Sequence, residues 1–310
     1  MIWTMASKLT RALALMGLVW AAPAQADAPV WAPRDQARVY FFGNSLIHHL
    51  TGSDTTTVPH WLALMAKAAG KDFAADGRWG FPRDFAAQLP PIANWEFRSV
   101  RRAWDQWKQP FRAARFDTVV LTPENFIQYD PVDRPYLGAN PDGSTPLQAT
   151  LKVVDWVQAN ADRPRFLIYE GWADLHPFTR VFPPSAAELV QYYDHAGTRY
   201  HDWFRAYVER LRQERPGVAV GLIPVGSIMT RLLTGDLLRD LEPQALYSDR
   251  SPHGTATTYL LAAMITYAAL YGTAPPSGLA LPDVIDSRFA ARYDRIAAAI
   301  GAEIAGRRSD

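Results

Sequence analysis

The clearest pattern in the chain is a run of four apolar residues, Val39-Tyr40-Phe41-Phe42, followed by Gly43-Asn44-Ser45-Leu46. β-forming residues without polar alternation predict a strand buried on both faces, as in a parallel sheet. Gly43 ends the run, and Ser45 stands on the turn beyond its carboxyl end, where open α/β sheets place their ligands. Similar runs recur at Phe116 to Leu121, Phe166 to Tyr169 and Val218 to Ile223. Phe73-Ala74-Ala75 is poorer in β-formers, but its position calls for a fifth strand, ahead of a glycine-rich loop from Asp76 to Pro82.

Between these runs the spacing becomes helical. Thr57-Val58-Pro59 combines a capping hydroxyl with a first-turn proline, and Trp61, Leu62, Met65 and Ala69 follow on one face until Gly70. Val100, Ala103, Trp104 and Trp107 keep helical spacing up to Pro110, and Pro146 to Ala159 predicts another helix. The segment between, from Gln128 to Thr145, is a long loop rich in Pro, Gly and Asp. Ser185 and Glu188 form a capping box before the stripe Leu189, Tyr192, Ala196, Tyr200, Trp203, Tyr207 and Leu211, with a bend at Gly197. Further helices are predicted over Leu232 to Leu246 and over Thr255 to Tyr271, the latter so apolar that it must pack on more than one side. Asp286 or Ser287 caps a closing helix with Phe289, Tyr293, Ile296, Ile300 and Ile304 inward. Strands alternating with helices predict a single α/β domain, a three-layer α/β/α sandwich with a mainly parallel sheet.

The N-terminus changes the domain boundaries. Lys8 and Arg11 precede an apolar run from Ala12 to Ala22, and Ala24-Gln25-Ala26 is a small-residue cleavage site. Residues 1–26 therefore read as a secretory signal peptide, too short to serve as a membrane span, and residues 27–310 as the mature domain. The expected location is the periplasm or the exterior, with no membrane span once the signal is removed. The formal charge of +1 includes the two signal-peptide cations, and no long basic block points to nucleic acid. The absence of cysteine excludes a lipoprotein anchor, a thiolate metal site and a catalytic thiol.

Candidate chemistry comes from both ends of the mature chain. A serine hydroxyl needs a neighbouring base, usually histidine, and a carboxylate to orient that base. Ser45 lies after the first strand, and Asp249-Arg250-Ser251-Pro252-His253 brings an acid and a base just ahead of the apolar helix. Oxyanion donors could be the N–H of Ser45, the N–H of Gly80 or Gly77, and the amide of Asn125, all placed just after strands.

The Gly43-Asn44-Ser45-Leu46 turn, a glycine after the second strand, Asn125 after the third, and Asp249 with His253 near the end resemble the four blocks of the SGNH (GDSL-like) hydrolase superfamily. The segment from His253 through Tyr259-Leu260-Leu261-Ala262 to Tyr271-Gly272 is similar to that family's final block and helix. The resemblance implies a flavodoxin-like sandwich and ester hydrolysis without metal or cofactor. It assigns Ser45 as nucleophile and oxyanion donor, Gly80 and Asn125 as oxyanion donors, and His253 and Asp249 as base and orienting acid. Three departures stand out. Asn44 replaces the usual Asp, only Asn125 of a Gly-x-Asn-Asp block is present, and Asp249 precedes His253 by four residues where the family has Asp-x-x-His.

The expected function is thus an exported serine esterase acting on an acyl ester, acetyl esters included, of a carbohydrate or small molecule. Two alternatives stay open: an O-acyltransferase on a polysaccharide, and a catalytically silent carbohydrate-binding protein of the same fold. Other residues read more plainly. His48, His49 and His60 near Asp54 lack ligand spacing and are loop or substrate-contact histidines, while His176, His195 and His201 are surface residues. Trp79, Trp95 and Trp172 near loops hint at sugar stacking, whereas Trp104, Trp107 and Trp203 belong to helix stripes and the core. Glu170 and Asp174 raise a glycosidase acid pair, for which sequence gives no distance.

Overall fold

The computed structural model describes residues 30–95, 97–124, 131–138, 140–251 and 253–307. The signal peptide expected at residues 1–26 lies outside them. Five strands form one parallel sheet: β1 (Gln36–Gly43), β2 (Asp72–Trp79), β3 (Thr118–Leu121), β4 (Arg165–Glu170) and β5 (Val220–Pro224), in the order β2-β1-β3-β4-β5. The helices are α1 (Val58–Ala68), α2 (Pro82–Ala87), α3 (Pro146–Asn160), α4 (Ala186–His195), α5 (His201–Glu214), α6 (Val225–Thr234), α7 (Pro243–Leu246), α8 (Ala256–Tyr271), α9 (Ser287–Ala290) and α10 (Tyr293–Gly306). Helices α1, α8 and α10 pack together on one side, and α2, α3 and α5 on the other. The expected α/β/α sandwich is present.

The strand order places a topological switch point beside β1, which pairs with β2 on one side and β3 on the other. Val39, Tyr40, Phe41 and Phe42 are all buried there. Tyr40 makes edge contacts with Phe42, Trp104, Phe111 and Phe116, so the strand is held by an aromatic cluster. Every residue of α8 is buried, as its all-round apolar character requires, and the hydroxyls of Thr258 and Thr266 are satisfied by the carbonyls of Leu246 and Ala262.

Three elements differ from the expectation. β2 continues through Asp76, Gly77 and Arg78 to Trp79, where a glycine-rich loop was expected. The Asp76 carboxylate accepts from Ala103 N–H at 2.7 Å and Trp104 N–H at 2.6 Å, which makes a buried acid tolerable in the strand. Those same contacts explain why 100–107 is no helix: its N–H groups turn toward β2, and Ala75 N–H bonds Arg101 C=O at 3.0 Å. Trp107 is accordingly 87% exposed and not in the core. The helix expected over Leu232 to Leu246 instead begins at Val225 directly after β5, stops at Gly235, and resumes as one turn at Pro243. The bend at Gly197 is a π turn, Ala196–Tyr200, between α4 and α5.

Candidate active site

Ser45 leaves the carboxyl end of β1 on a turn organised by Asn44. The Asn44 side-chain oxygen accepts from Leu46 N–H at 3.0 Å, and its backbone carbonyl accepts from Ile47 and His48 N–H at 3.0 and 3.2 Å. This use of the side-chain oxygen needs only an acceptor, which Asn supplies as well as Asp would. Gly43 has to lack a side chain, because a Cβ there would lie 2.9 Å from Ile47 and 3.1 Å from both Trp95 and Thr122. The indole of Trp95 stacks on the His48 ring (centroids 5.7 Å apart) and walls one side of the turn.

His253 and Asp249 come from the loop between α7 and α8. Asp249 Oδ2 lies 2.6 Å from His253 Nδ1, and its Oδ1 accepts from the N–H groups of Ser251 at 2.8 Å and His253 at 3.1 Å. Ser248 N–H closes the loop on His253 C=O at 2.7 Å. The extra residue in the Asp-His spacing is absorbed in this compact turn, and acid and base meet. Burial raises the Asp249 pKa, but the His253 ring bond and the two backbone donors outweigh it, so the carboxyl sits below its ordinary range. With Nδ1 engaged by the carboxylate, Nε2 is the ring nitrogen left for proton transfer.

The two ends of the chain converge on one edge of the sheet. Tyr259, in the first turn of α8, donates its hydroxyl to Ser45 C=O at 2.5 Å. The rings of His49 and His253 stack with centroids 4.0 Å apart and planes at 22°. Ser45 is half-buried, and its hydroxyl forms no hydrogen bond with a described residue, His253 included. Such bonds often tighten only when substrate binds.

The expected oxyanion donors fare differently. Gly80 N–H donates to Gly43 C=O at 2.9 Å, so it is committed to the β1–β2 ladder. Gly77 lies inside β2, paired with Phe41, and not on a loop beyond it. Asn125 lies outside the described residues. At the ends of β1 and β3, Asn44 Nδ2 and Thr122 Oγ1 are buried without partners among the described residues, and Thr122 is a polar group that nothing in the sequence had marked.

The remaining candidates are resolved by burial. Trp95 and Trp172 are buried, whereas Trp79 is 47% exposed at the end of β2, opposite Gly43 in the ladder, with Phe81 against its edge. His60 Nδ1 lies 2.5 Å from Ser99 Oγ. His195 and His201 are not surface residues. His195 is buried, and His201 Nδ1 lies 2.8 Å from Glu170 Oε2. Glu170 also accepts from Ser227 N–H at 2.8 Å and has no exposure, so it is a buried structural acid; Asp174 accepts from His176 N–H on the separate loop after β4. Glu124, just after β3, is buried as well, and burial pushes its carboxyl up to about 7 against the opposing charge of Arg83.

No protein-family profile matches the chain, and no curated protein matches it in sequence. Solved structures do align. A DUF4886 family protein from Bacteroides uniformis covers 88% of this chain and 94% of its own, at 13% identity and a TM-score of 0.54. A candidate SGNH hydrolase from Slackia heliotrinireducens covers 76% of this chain and 98% of its own, at 14% identity and a TM-score of 0.41. A family 3 carbohydrate esterase from Clostridium thermocellum covers 75% and 94%, at 12% identity and a TM-score of 0.38. At these identities the likeness is one of fold: the chain shares the α/β architecture of the DUF4886 protein, and hydrolases of SGNH and carbohydrate-esterase type are among the solved structures similar to it.

Proposed function

We propose that this chain is an exported serine esterase that removes an acyl group from a carbohydrate or small-molecule ester through Ser45, His253 and Asp249. The observation that supports this reading is the Asp249–His253 pair on the loop leading into α8, the helix whose Tyr259 bonds Ser45 C=O beyond the carboxyl end of β1. Ser45 Oγ attacks the ester carbonyl while its proton passes to His253 Nε2. Asp249 keeps Nδ1 protonated and balances the imidazolium. Collapse of the tetrahedral intermediate returns the proton to the leaving alcohol and leaves the acyl group on Ser45. Water, deprotonated by the same ring, then releases the acid. Ser45 N–H and the Asn125 amide are the donors for the developing oxyanion, each contributing roughly 10²–10³ in rate. Exposed Trp79 at the same edge offers a face for a sugar ring, which favours an acylated saccharide over a long-chain ester. The leader at residues 1–26 fits a substrate met outside the cytoplasm.

A second reading, a silent protein of the same fold, is favoured by the engagement of Gly80 N–H in the sheet. Turnover of an aryl acetate separates the two. The esterase reading requires hydrolysis that disappears in Ser45→Ala, and it fails if the wild-type protein shows none or the variant keeps it. Faster release of aryl alcohol on adding a saccharide acceptor, with the acyl group found on the sugar, would mark an O-acyltransferase.

A further inference from the structure

We propose that His49 is a positioning residue of this site, a neutral aromatic plate that holds the His253 ring in place and must stay uncharged while His253 carries the catalytic proton. This rests on the esterase reading above. The two rings lie nearly parallel, with centroids 4.0 Å apart, so one face of His253 is covered along its length. Asp249 holds the ring at its Nδ1 edge, a partly exposed contact that still permits rocking of the ring about its Cβ–Cγ bond. A plate against the face damps this rocking and keeps Nε2 in one orientation while it takes and returns the proton.

The plate itself is rigid. His49 N–H donates to Thr56 C=O at 3.1 Å, and Thr56 Oγ1 donates back to His49 C=O at 2.9 Å. The adjacent His48 pairs with Thr57 in an antiparallel bridge, and Trp61 Nε1 anchors Thr55 C=O at 2.9 Å. The segment carrying His49, four residues beyond Ser45, is thus pinned to the start of α1.

Charge sets the second half of the role. A charged His49 at stacking distance would repel the proton that His253 takes up during the reaction, so the plate has to stay neutral. The titratable and charged groups around it are the adjacent His48, Asp249, which binds His253, and beyond it Asp174 and the Arg250–His176 contact on the neighbouring loops. Burial, helped by the nearby His253 and opposed by Asp249, holds His49 below the ordinary histidine value, which keeps the plate neutral at working pH.

Three variants and two readouts test this. His49→Phe keeps a plate and should retain at least about a third of wild-type kcat. His49→Ala should lower kcat on the order of 10-fold to 10²-fold with KM little changed, as misplacement of a catalytic group does. His49→Lys, carrying a permanent charge, should fall at least as far as the alanine variant at every pH. Ring-current displacement of the His253 side-chain resonances should be present in the wild type and His49→Phe, and absent in His49→Ala. An alanine variant with wild-type kcat, or a phenylalanine variant as impaired as alanine, overturns the proposal. Failure of the esterase reading has a different signature: Ser45→Ala would keep its activity while the ring-current displacement remained.

Discussion

Replacing Asp249 by asparagine probes whether the carboxylate works on His253 or merely caps a turn. In the native loop one oxygen meets the ring at 2.6 Å and the other takes two backbone N–H groups. An amide has a single acceptor oxygen. If that oxygen stays with the backbone, an NH₂ group faces Nδ1 and favours the wrong tautomer. In a fully buried triad this exchange costs on the order of 10⁴ in kcat. Here the Asp249 side chain is 46% exposed and that of His253 24%, so water screens part of the charge. The expected loss is therefore on the order of 10²–10³, about 3–4 kcal/mol of transition-state stabilisation. KM should stay within about threefold, because Asp249 touches the imidazole and not the substrate. The stability effect should be small near neutral pH and vanish in acid. A carboxyl held below its ordinary range stabilises the fold above its unfolded value, and that contribution is lost as pH falls through the folded value. Steady-state turnover of an aryl acetate from pH 5 to 9, beside thermal melts, measures both effects. A variant with kcat within threefold of wild type would show that the 2.6 Å contact is a cap, and that some other group orients His253.

Three further outcomes follow from the geometry. Gly80→Ala should cost about 1–3 kcal/mol in urea unfolding, since φ is +150° and the new Cβ would lie 2.9 Å from the buried Phe85 ring; a loss below about 0.5 kcal/mol contradicts this. Tyr259→Phe removes the donor to Ser45 C=O, and should lower stability by about 1–2 kcal/mol and kcat roughly tenfold; an unaltered kcat would mean that the α8 tether does not place the serine. Glu124, with its carboxyl near 7 in the folded chain, holds more protons folded than unfolded between its ordinary value and about 7. Wild-type stability should accordingly drop by up to about 3 kcal/mol more between pH 5 and 8 than that of Glu124→Gln. Parallel pH slopes for the two proteins would contradict that assignment.

The strands were legible where burial on both faces writes an unbroken apolar run, as in Val39 to Phe42 and Phe166 to Tyr169. β2 was only half legible, because Asp76 and Arg78 find partners that lie far along the chain, at Ala103, Trp104 and Gln88. The same long-range bonds draw 100–107 away from the helix that its apolar spacing suggests. Ser45, His253 and Asp249 could be picked out as residue types in a telling order, and the loop that joins acid to base despite its length follows from backbone bonds no spacing reveals. The His49–His253 stack left no mark in the sequence, since the two rings meet only through tertiary structure. Buried His195 and the His201–Glu170 pair were hidden likewise: their helix stripe gives the core face but not the partner across it.

The account stands on Ser45 being a nucleophile that His253 activates. Incubating the full chain with a fluorophosphonate probe and mapping the adduct by peptide mass spectrometry tests this most directly. One adduct on Ser45, formed at least a hundredfold more slowly in His253→Ala, is the expected result. An unlabelled wild-type protein, an adduct on another residue, or labelling indifferent to His253 would contradict it.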